Sequence, residues 1–153
     1  MGYSVVGLKK RLTRILGLDR ELKAVIVGAG NLGMALAGYA GFNREGFRIV
    51  ALFDVAPEKI GGVCRNGAPI LPLSQLGEVA RREGAQIAVV AVPASEAQSV
   101  VDAAAEAGIP AILNFAPARI RVPSTMSLRN VDLRIQMEGL AFRLASPRRA
   151  SGP

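Results

Sequence analysis

The sequence predicts a doubly wound α/β domain, a mostly parallel sheet with helices on both faces. Three features carry that prediction. Short apolar runs of strand length alternate with helical stretches along the chain. One of them, Ile87-Ala-Val-Val-Ala-Val92, is apolar throughout, as in a strand covered on both faces. A glycine-rich turn joins the first strand to the helix after it. Parallel strands require crossover connections, and those are right-handed. With 153 residues, half of them hydrophobic and a fifth charged, the chain can bury one core and has no room for two.

Taken in order, Val5, Val6, Leu8, Leu12, Ile15 and Leu16 recur at helical spacing, with Lys9, Lys10, Arg11 and Arg14 on the other face, until Gly17 ends the pattern. Residues 1–20 therefore read as a basic amphipathic helix. Lys23–Val27 is a short buried strand, the glycine turn follows, and a helix runs from Leu32 to about Tyr39. Phe47–Phe53 is the second strand. A loop with Pro57, Gly61, Gly62 and Gly67 leads to a strand at Ala68–Leu71, and Ser74 is placed to N-cap a helix through Glu83. Pro93 stops the Ile87–Val92 strand, Ser95–Ala107 is an alanine-rich helix closed by Gly108, and Ala111–Asn114 is the next strand. Met126–Val131 forms a weaker strand, and Asp132 is placed to cap a final helix carrying Leu133, Met137, Leu140 and Leu144. The expected body is thus 21–132, with a C-terminal helix over 133–145 and a frayed polar tail over 146–153. No internal repeat or low-complexity tract interrupts it.

Composition removes much familiar chemistry. There is no histidine, no tryptophan and a single cysteine, Cys64, which excludes a disulfide framework, a Cys/His zinc site and histidine-based acid–base catalysis. The formal charge of +7 favours anionic partners without choosing among phosphates, nucleic acid and membrane surfaces. The basic residues gather at both ends: Lys9, Lys10, Arg11, Arg14 and Arg20 early, Arg143, Arg148 and Arg149 late. No apolar run reaches the ~18–20 residues of a membrane span. Charges at Lys9–Arg14 occupy the place where a signal peptide needs its apolar stretch, so a cytoplasmic location is expected.

The turn after the first strand is Gly28-Ala-Gly30-Asn-Leu-Gly33, a GxGxxG pattern that alone is weak in a glycine-rich chain. Its context strengthens it, since it follows a strand, opens a helix, and is answered by Asp54 at the end of the next strand, 21 residues beyond Gly33. Gly28 permits the tight turn, Gly30 lets backbone approach a pyrophosphate, and Gly33 lets the helix pack closely on its strand, with the N–H groups of Ala29, Asn31 and Leu32 beside the anion. Asp54 would accept from the adenosine ribose hydroxyls and repel a 2′-phosphate, and the adjacent Val55 and Ala56 supply no arginine to hold one. NAD(H) is therefore favoured over its phosphorylated form. Ligands of such sheets sit outside the carboxyl ends of the strands, where Val92-Pro93 and Asn114-Phe115-Ala116-Pro117 also fall. On position alone these two segments either line the site or merely terminate their strands.

A nicotinamide dehydrogenase must move a proton with its hydride. Two tyrosines, Tyr3 and Tyr39, and four lysines are available, with no close Tyr-x-x-x-Lys pattern and no second domain to hold a substrate. Cys64 beside Arg65 reads as an incidental thiol rather than an activated one. A fold that holds a redox cofactor without means of using it suits a sensor.

Several segments, in this order and spacing, resemble the redox-sensing transcriptional repressor family Rex: Ile15-Leu-Gly-Leu-Asp-Arg20, Val27–Gly33, Tyr39 with Gly41-Phe42, Phe53-Asp54 with Pro57–Gly61, Val92-Pro93 with Ala97-Gln98, Ile112–Pro117, and Asn130-Val-Asp132. The likeness runs from Gly2 to about Leu144. It implies a cytoplasmic homodimer, without turnover, that compares NADH with NAD⁺ and leaves operator DNA when NADH rises. It further implies that Gly28–Gly33 cradle the pyrophosphate, Asp54 with Val55 holds the adenosine end, and Val92, Pro93, Asn114, Phe115 and Ala116 border the nicotinamide. Tyr39 and Asp132 match positions linked to that family's switch, and the helix from Leu133 matches the element it exchanges between subunits. From the residues alone, Tyr39 is equally a packing partner of Phe42, and Asp132 equally a helix cap. Members of the family begin with a winged-helix domain; this chain starts about where that domain hands over to a linker helix, and no helix-turn-helix pattern fits elsewhere, so operator contact is expected only through such a domain. Two other readings stand beside this one: a coenzyme-A-binding module, and a small NAD-dependent oxidoreductase subunit.

Overall fold

The computed structural model describes residues 4–17, 20–44 and 46–146. Six strands form one sheet: β1 (Leu22–Val27), β2 (Phe47–Asp54), β3 (Ile70–Pro72), β4 (Ile87–Val90), β5 (Ala111–Asn114) and β6 (Ser127–Asn130). Their spatial order is β3-β2-β1-β4-β5-β6 and every neighbouring pair is parallel. This is the doubly wound order, reversing direction between β1 and β4, where such sheets open a crevice at their carboxyl ends.

Helices α1 (Val5–Ile15), α2 (Asn31–Ala37), α3 (Ala40–Arg44), α4 (Leu76–Glu83), α5 (Ala94–Glu106) and α6 (Leu133–Ala145) complete the described residues. The apolar side chains of α4 and α5, Leu76, Val79, Val100 and Val101 among them, meet Val25, Val27, Ala51, Phe53, Ala88 and Val90 in the larger core. On the opposite face α2, with Phe42 of α3, covers Ala24, Ile26, Ile49 and Leu52. That cover stops short. A hollow of about 270 Å³ lies open over Ala24, Ile49, Ile87, Val89 and Leu113, bordered by Phe42, Phe47 and Arg129.

The two terminal helices bury nothing. α1 begins at Ser4, whose hydroxyl accepts from Gly7 N–H at 3.2 Å, yet Val5, Val6, Leu8, Leu12 and Ile15 are all exposed. α6 is likewise without a buried residue, and Leu133, Ile135, Met137, Leu140, Phe142 and Leu144 face outward all around it. The tail expected over 146–153 lies, apart from Ser146, outside the described residues.

Several element ends fall elsewhere than the sequence suggests. Ser74 is not a helix cap: Pro72, with φ near −60°, starts a single 3₁₀ turn over Leu73–Gln75, and α4 begins only at Leu76. α5 starts one residue early, at Ala94, with Pro93 at its N-cap position. β4 ends at Val90 because Ala91 N–H makes the last bond to Val27 O, at 2.8 Å, before the chain leaves the sheet. Ala68 belongs to the preceding turn, bonded to Cys64 N–H and to Asn66, and β3 is only three residues long. The helix predicted to reach Tyr39 stops at Ala37, leaving Tyr39 in the break before α3.

Candidate functional site

The glycine loop owes its shape to close backbone contacts. Gly28 has φ +109°, a region side chains rarely adopt, and its N–H donates to Phe53 O at 2.8 Å. A Cβ there would collide with the carbonyl of Ala91, so the loop lies flush against the end of β4. At Gly33 a Cβ would drive into the Gly28 carbonyl, which is why α2 can sit so near β1. Over Gly30, by contrast, the space is open. Gly30 is the N-cap of α2, and no side chain caps the helix, which leaves first-turn N–H groups for an external acceptor.

Asp54 ends β2 and turns its carboxylate under this loop. Oδ2 accepts from Ala29 N–H at 2.8 Å, and Oδ1 accepts from Val55 and Ala56 N–H at 2.8 and 2.9 Å. Lys59 Nζ stands 3.8 Å from Oδ2, and the Asp54 side chain is only 12% exposed. Burial alone would raise this carboxyl. The N–H groups of Ala56, Ala29 and Val55, with the Lys59 ammonium, outweigh it and hold Asp54 below the usual carboxylate range. Of about four lone-pair positions on a carboxylate, three are taken by backbone, so the group clasps the loop first and retains room on Oδ2 for a hydroxyl.

Together these residues floor a cleft of about 430 Å³ at the carboxyl ends of β1, β2 and β4. Gly28, Gly30, Asp54, Val55, Val92 and Pro93, all predicted, line it. Ala29 is buried beneath it, engaged by Asp54, and Gly33 is buried as packing. Asn31 and Leu32 sit exposed at the start of α2, outside the lining. Phe115 and Ala116 follow β5, the next strand along, and Phe115 N–H bonds Val90 O at 2.9 Å. Asn114 departs from expectation. Its side chain is 1% exposed and wholly engaged within the protein, so it supports the strand ends rather than facing a ligand.

Sequence reasoning missed Lys59, Leu73, Ala91 and Glu96 in the lining, along with the strand ends Val27 and Phe53. Lys59 lies in the quoted Pro57–Gly61 segment, and its approach to Asp54 depends on how the loop folds back, which no spacing rule supplies. Tyr39 packs edge-on to Phe42 with ring centroids 5.0 Å apart, and remains largely exposed. Asp132 caps α6, its Oδ1 accepting from Arg134 and Ile135 N–H at 2.9 and 3.3 Å. No hydrogen bond joins Tyr39 to Asp132 among the described residues. Cys64 is buried, and its thiol donates to Asn66 Oδ1.

Comparison with known proteins places this geometry. The family model described as the CoA binding domain matches residues 19–118. The redox-sensing transcriptional repressor Rex of Desulfitobacterium hafniense is 43% identical over 148 residues, covering 97% of this chain and 70% of the relative. Rex of Syntrophomonas wolfei is 45% identical over 145 residues, covering 95% and 69%. Among solved structures, RSP in complex with NAD⁺ and operator DNA aligns with TM-score 0.86 and 36% identity, covering 94% of this chain and 65% of that one. RSP in complex with NADH aligns with TM-score 0.83, covering 94% and 69%. A UDP-D-quinovosamine 4-dehydrogenase from Vibrio fischeri, 19% identical with TM-score 0.55, shares the fold alone. These close relatives are named as repressors and not as enzymes. The glycine loop, its Asp54 clasp and the cleft at the β1/β4 reversal thus sit on a chain that belongs to the Rex family of redox-sensing transcriptional repressors.

Proposed function

We propose that this chain is the NAD(H)-sensing domain of a Rex-type repressor and performs no turnover. The observation that carries the reading is the glycine loop clasped by Asp54 above an open cleft, in a chain similar to a repressor solved with both NAD⁺ and NADH. The residues fit a dinucleotide. The open space over Gly30 and the uncapped start of α2 admit a pyrophosphate, and Asp54 Oδ2 has room for a ribose hydroxyl but repels a 2′-phosphate. Val92 and Pro93 form the far wall, with Phe115 beyond them, as the nicotinamide end. When bound, the cofactor supplies only a difference in charge and shape between its oxidised and reduced rings. Of the groups in the cleft that could move a proton, Lys59 is 3.8 Å from Asp54, and no histidine, tyrosine or cysteine joins it and Glu96 in the lining. Coenzyme A is the lesser reading, because Asp54 serves a free ribose edge.

A second copy completes the assembly in this reading. α6 carries six exposed apolar side chains, and the sheet leaves a hollow of about 270 Å³ uncovered; each has what the other lacks. NADH favours one arrangement of the pair over another by differential affinity, and that arrangement is passed to a winged-helix reader on operator DNA in the cytoplasm. No described helix is long and apolar enough to cross a membrane. The test is calorimetric titration with NADH, NAD⁺, NADPH and coenzyme A. Tight NADH binding with NADPH far weaker supports the reading; binding of coenzyme A alone overturns it.

A further inference from the structure

Asn114 is the one fully buried polar side chain among the described residues, and the cleft does not use it. Its Oδ1 accepts from Ala116 N–H at 2.9 Å, while its Nδ2 donates to Ala116 O and to Asn130 Oδ1, each at 3.0 Å. Since an N–H can meet only an oxygen, the Ala116 contact fixes which way the Asn114 amide points. Asn130 must then present its oxygen. The two asparagines are register partners in β5 and β6, and Val131 N–H adds a bond to Asn114 O at 2.8 Å. One residue further, Asp132 caps α6.

Closing the turn after β5 would require only the two bonds to Ala116. The bond to Asn130 does something else, joining the Phe115-Ala116 turn, which is anchored on Val90 of the cleft strand, to the strand end that launches α6. The connection between β5 and β6 has no helix to stiffen it. Instead Gln98 of α5 grips its middle, accepting from Arg121 N–H and donating to Arg121 O, both at 2.9 Å. The middle of the connection is thus tied to α5, while its first turn is tied to the end of β6 by the bond from Asn114 to Asn130.

We infer that Asn130 is a positioning residue: through Asn114 it couples occupancy of the nicotinamide side of the cleft to the placement of α6. The inference rests on the dinucleotide reading above. Its side chain reaches neither the cleft nor α6, so replacing it leaves both surfaces intact.

The experiment uses this chain with NADH, comparing Asn130→Ala with Asn130→Asp, which keeps the accepting oxygen. Affinity is measured by calorimetry and α6 by hydrogen exchange of its backbone amides. In the unaltered chain NADH should slow α6 exchange about fivefold or more, the lower range of allosteric coupling. Asn130→Ala should bind NADH within about threefold of the unaltered chain, since coupling and not contact is removed, while the slowing of α6 falls below about twofold. Asn130→Asp should restore it. Persistence of the slowing in Asn130→Ala overturns the inference, as does equal weakening of NADH and NAD⁺ together with a lowered melting temperature. NADH binding without any effect on α6 in the unaltered chain also overturns it while sparing the dinucleotide reading. Absence of NADH binding overturns both.

Discussion

The two sides of the sheet that flank the cleft are held by different bonds. On the β1–α2–β2 side an ionised carboxylate holds the glycine loop through Ala29 N–H and its own following turn through Val55 and Ala56 N–H, with a lysine beside it. On the β4–α5–β5–β6 side neutral amides, Gln98 and Asn114, imitate backbone pairing to hold a helix-less connection. In the proposed reading the first side seats the phosphate and ribose, common to oxidised and reduced cofactor alike. The second is held by bonds of about 1 kcal/mol each, which suits the end that must respond to the ring. In that reading binding strength and discrimination fall on opposite sides of the sheet.

The largest way to break this contrast is to remove the seat. Gly33→Val should cost about 3 kcal/mol or more, because its Cβ has nowhere to go but into the Gly28 carbonyl. A thermal melt of the variant checks this, and a melting temperature unchanged within a degree or two would contradict the packing role. Asp54→Asn should lose about 2–3 kcal/mol of NADH binding, since an amide oxygen cannot serve N–H groups on both sides. Acid should act similarly. The folded pKa of Asp54 lies below its unfolded value near ~4, so its contribution is complete above that value and fades as the pH falls through the lower folded one. Titrations should therefore give constant NADH affinity from about pH 5 to 8 as far as Asp54 is concerned, with loss only in stronger acid.

Intermediate effects belong to the exposed helix. Leu140→Asp with Phe142→Asp should leave the 21–132 body folded, because neither side chain is buried in the chain, while the pairing of two copies proposed above predicts a shift in sedimentation from dimer to monomer. Gln98→Leu should cost about 1 kcal/mol and narrow the gap between NADH and NAD⁺ affinities by weakening NADH more than NAD⁺. The smallest effect is expected at Cys64→Ser: a hydroxyl keeps the bond to Asn66, so stability should stay within about 1 kcal/mol and cofactor binding should not change.

This contrast also separates what could be seen in the residues from what could not. Gly28, Gly30, Gly33 and Asp54 are legible because each task follows from local geometry: a positive φ, an open approach, a close packing, an acid at a strand end. The parallel sheet is legible too, since β4 is apolar throughout and short apolar runs alternate with helical stretches over much of the chain. The amide half is not. Gln98 and Arg121 lie 23 residues apart and meet only because the connection folds back over α5. Asn114 is placed correctly at a strand end, but whether its amide faces a ligand or a neighbouring strand is decided by Asn130, sixteen residues on. Ser74 misleads for a similar reason, as a good cap residue overruled by the fixed φ of Pro72 nearby. Lys59 reaches the cleft only through the course of its loop.

The most direct test of the central claim is side-by-side calorimetric titration of the purified chain with NADH and NAD⁺. The account predicts that both bind one site per chain and compete, with NADH clearly tighter, and that Asp54→Asn weakens the two by the same factor. Equal affinities in the unaltered chain, or an Asp54→Asn effect confined to one cofactor, would contradict the division of binding and discrimination between the two sides.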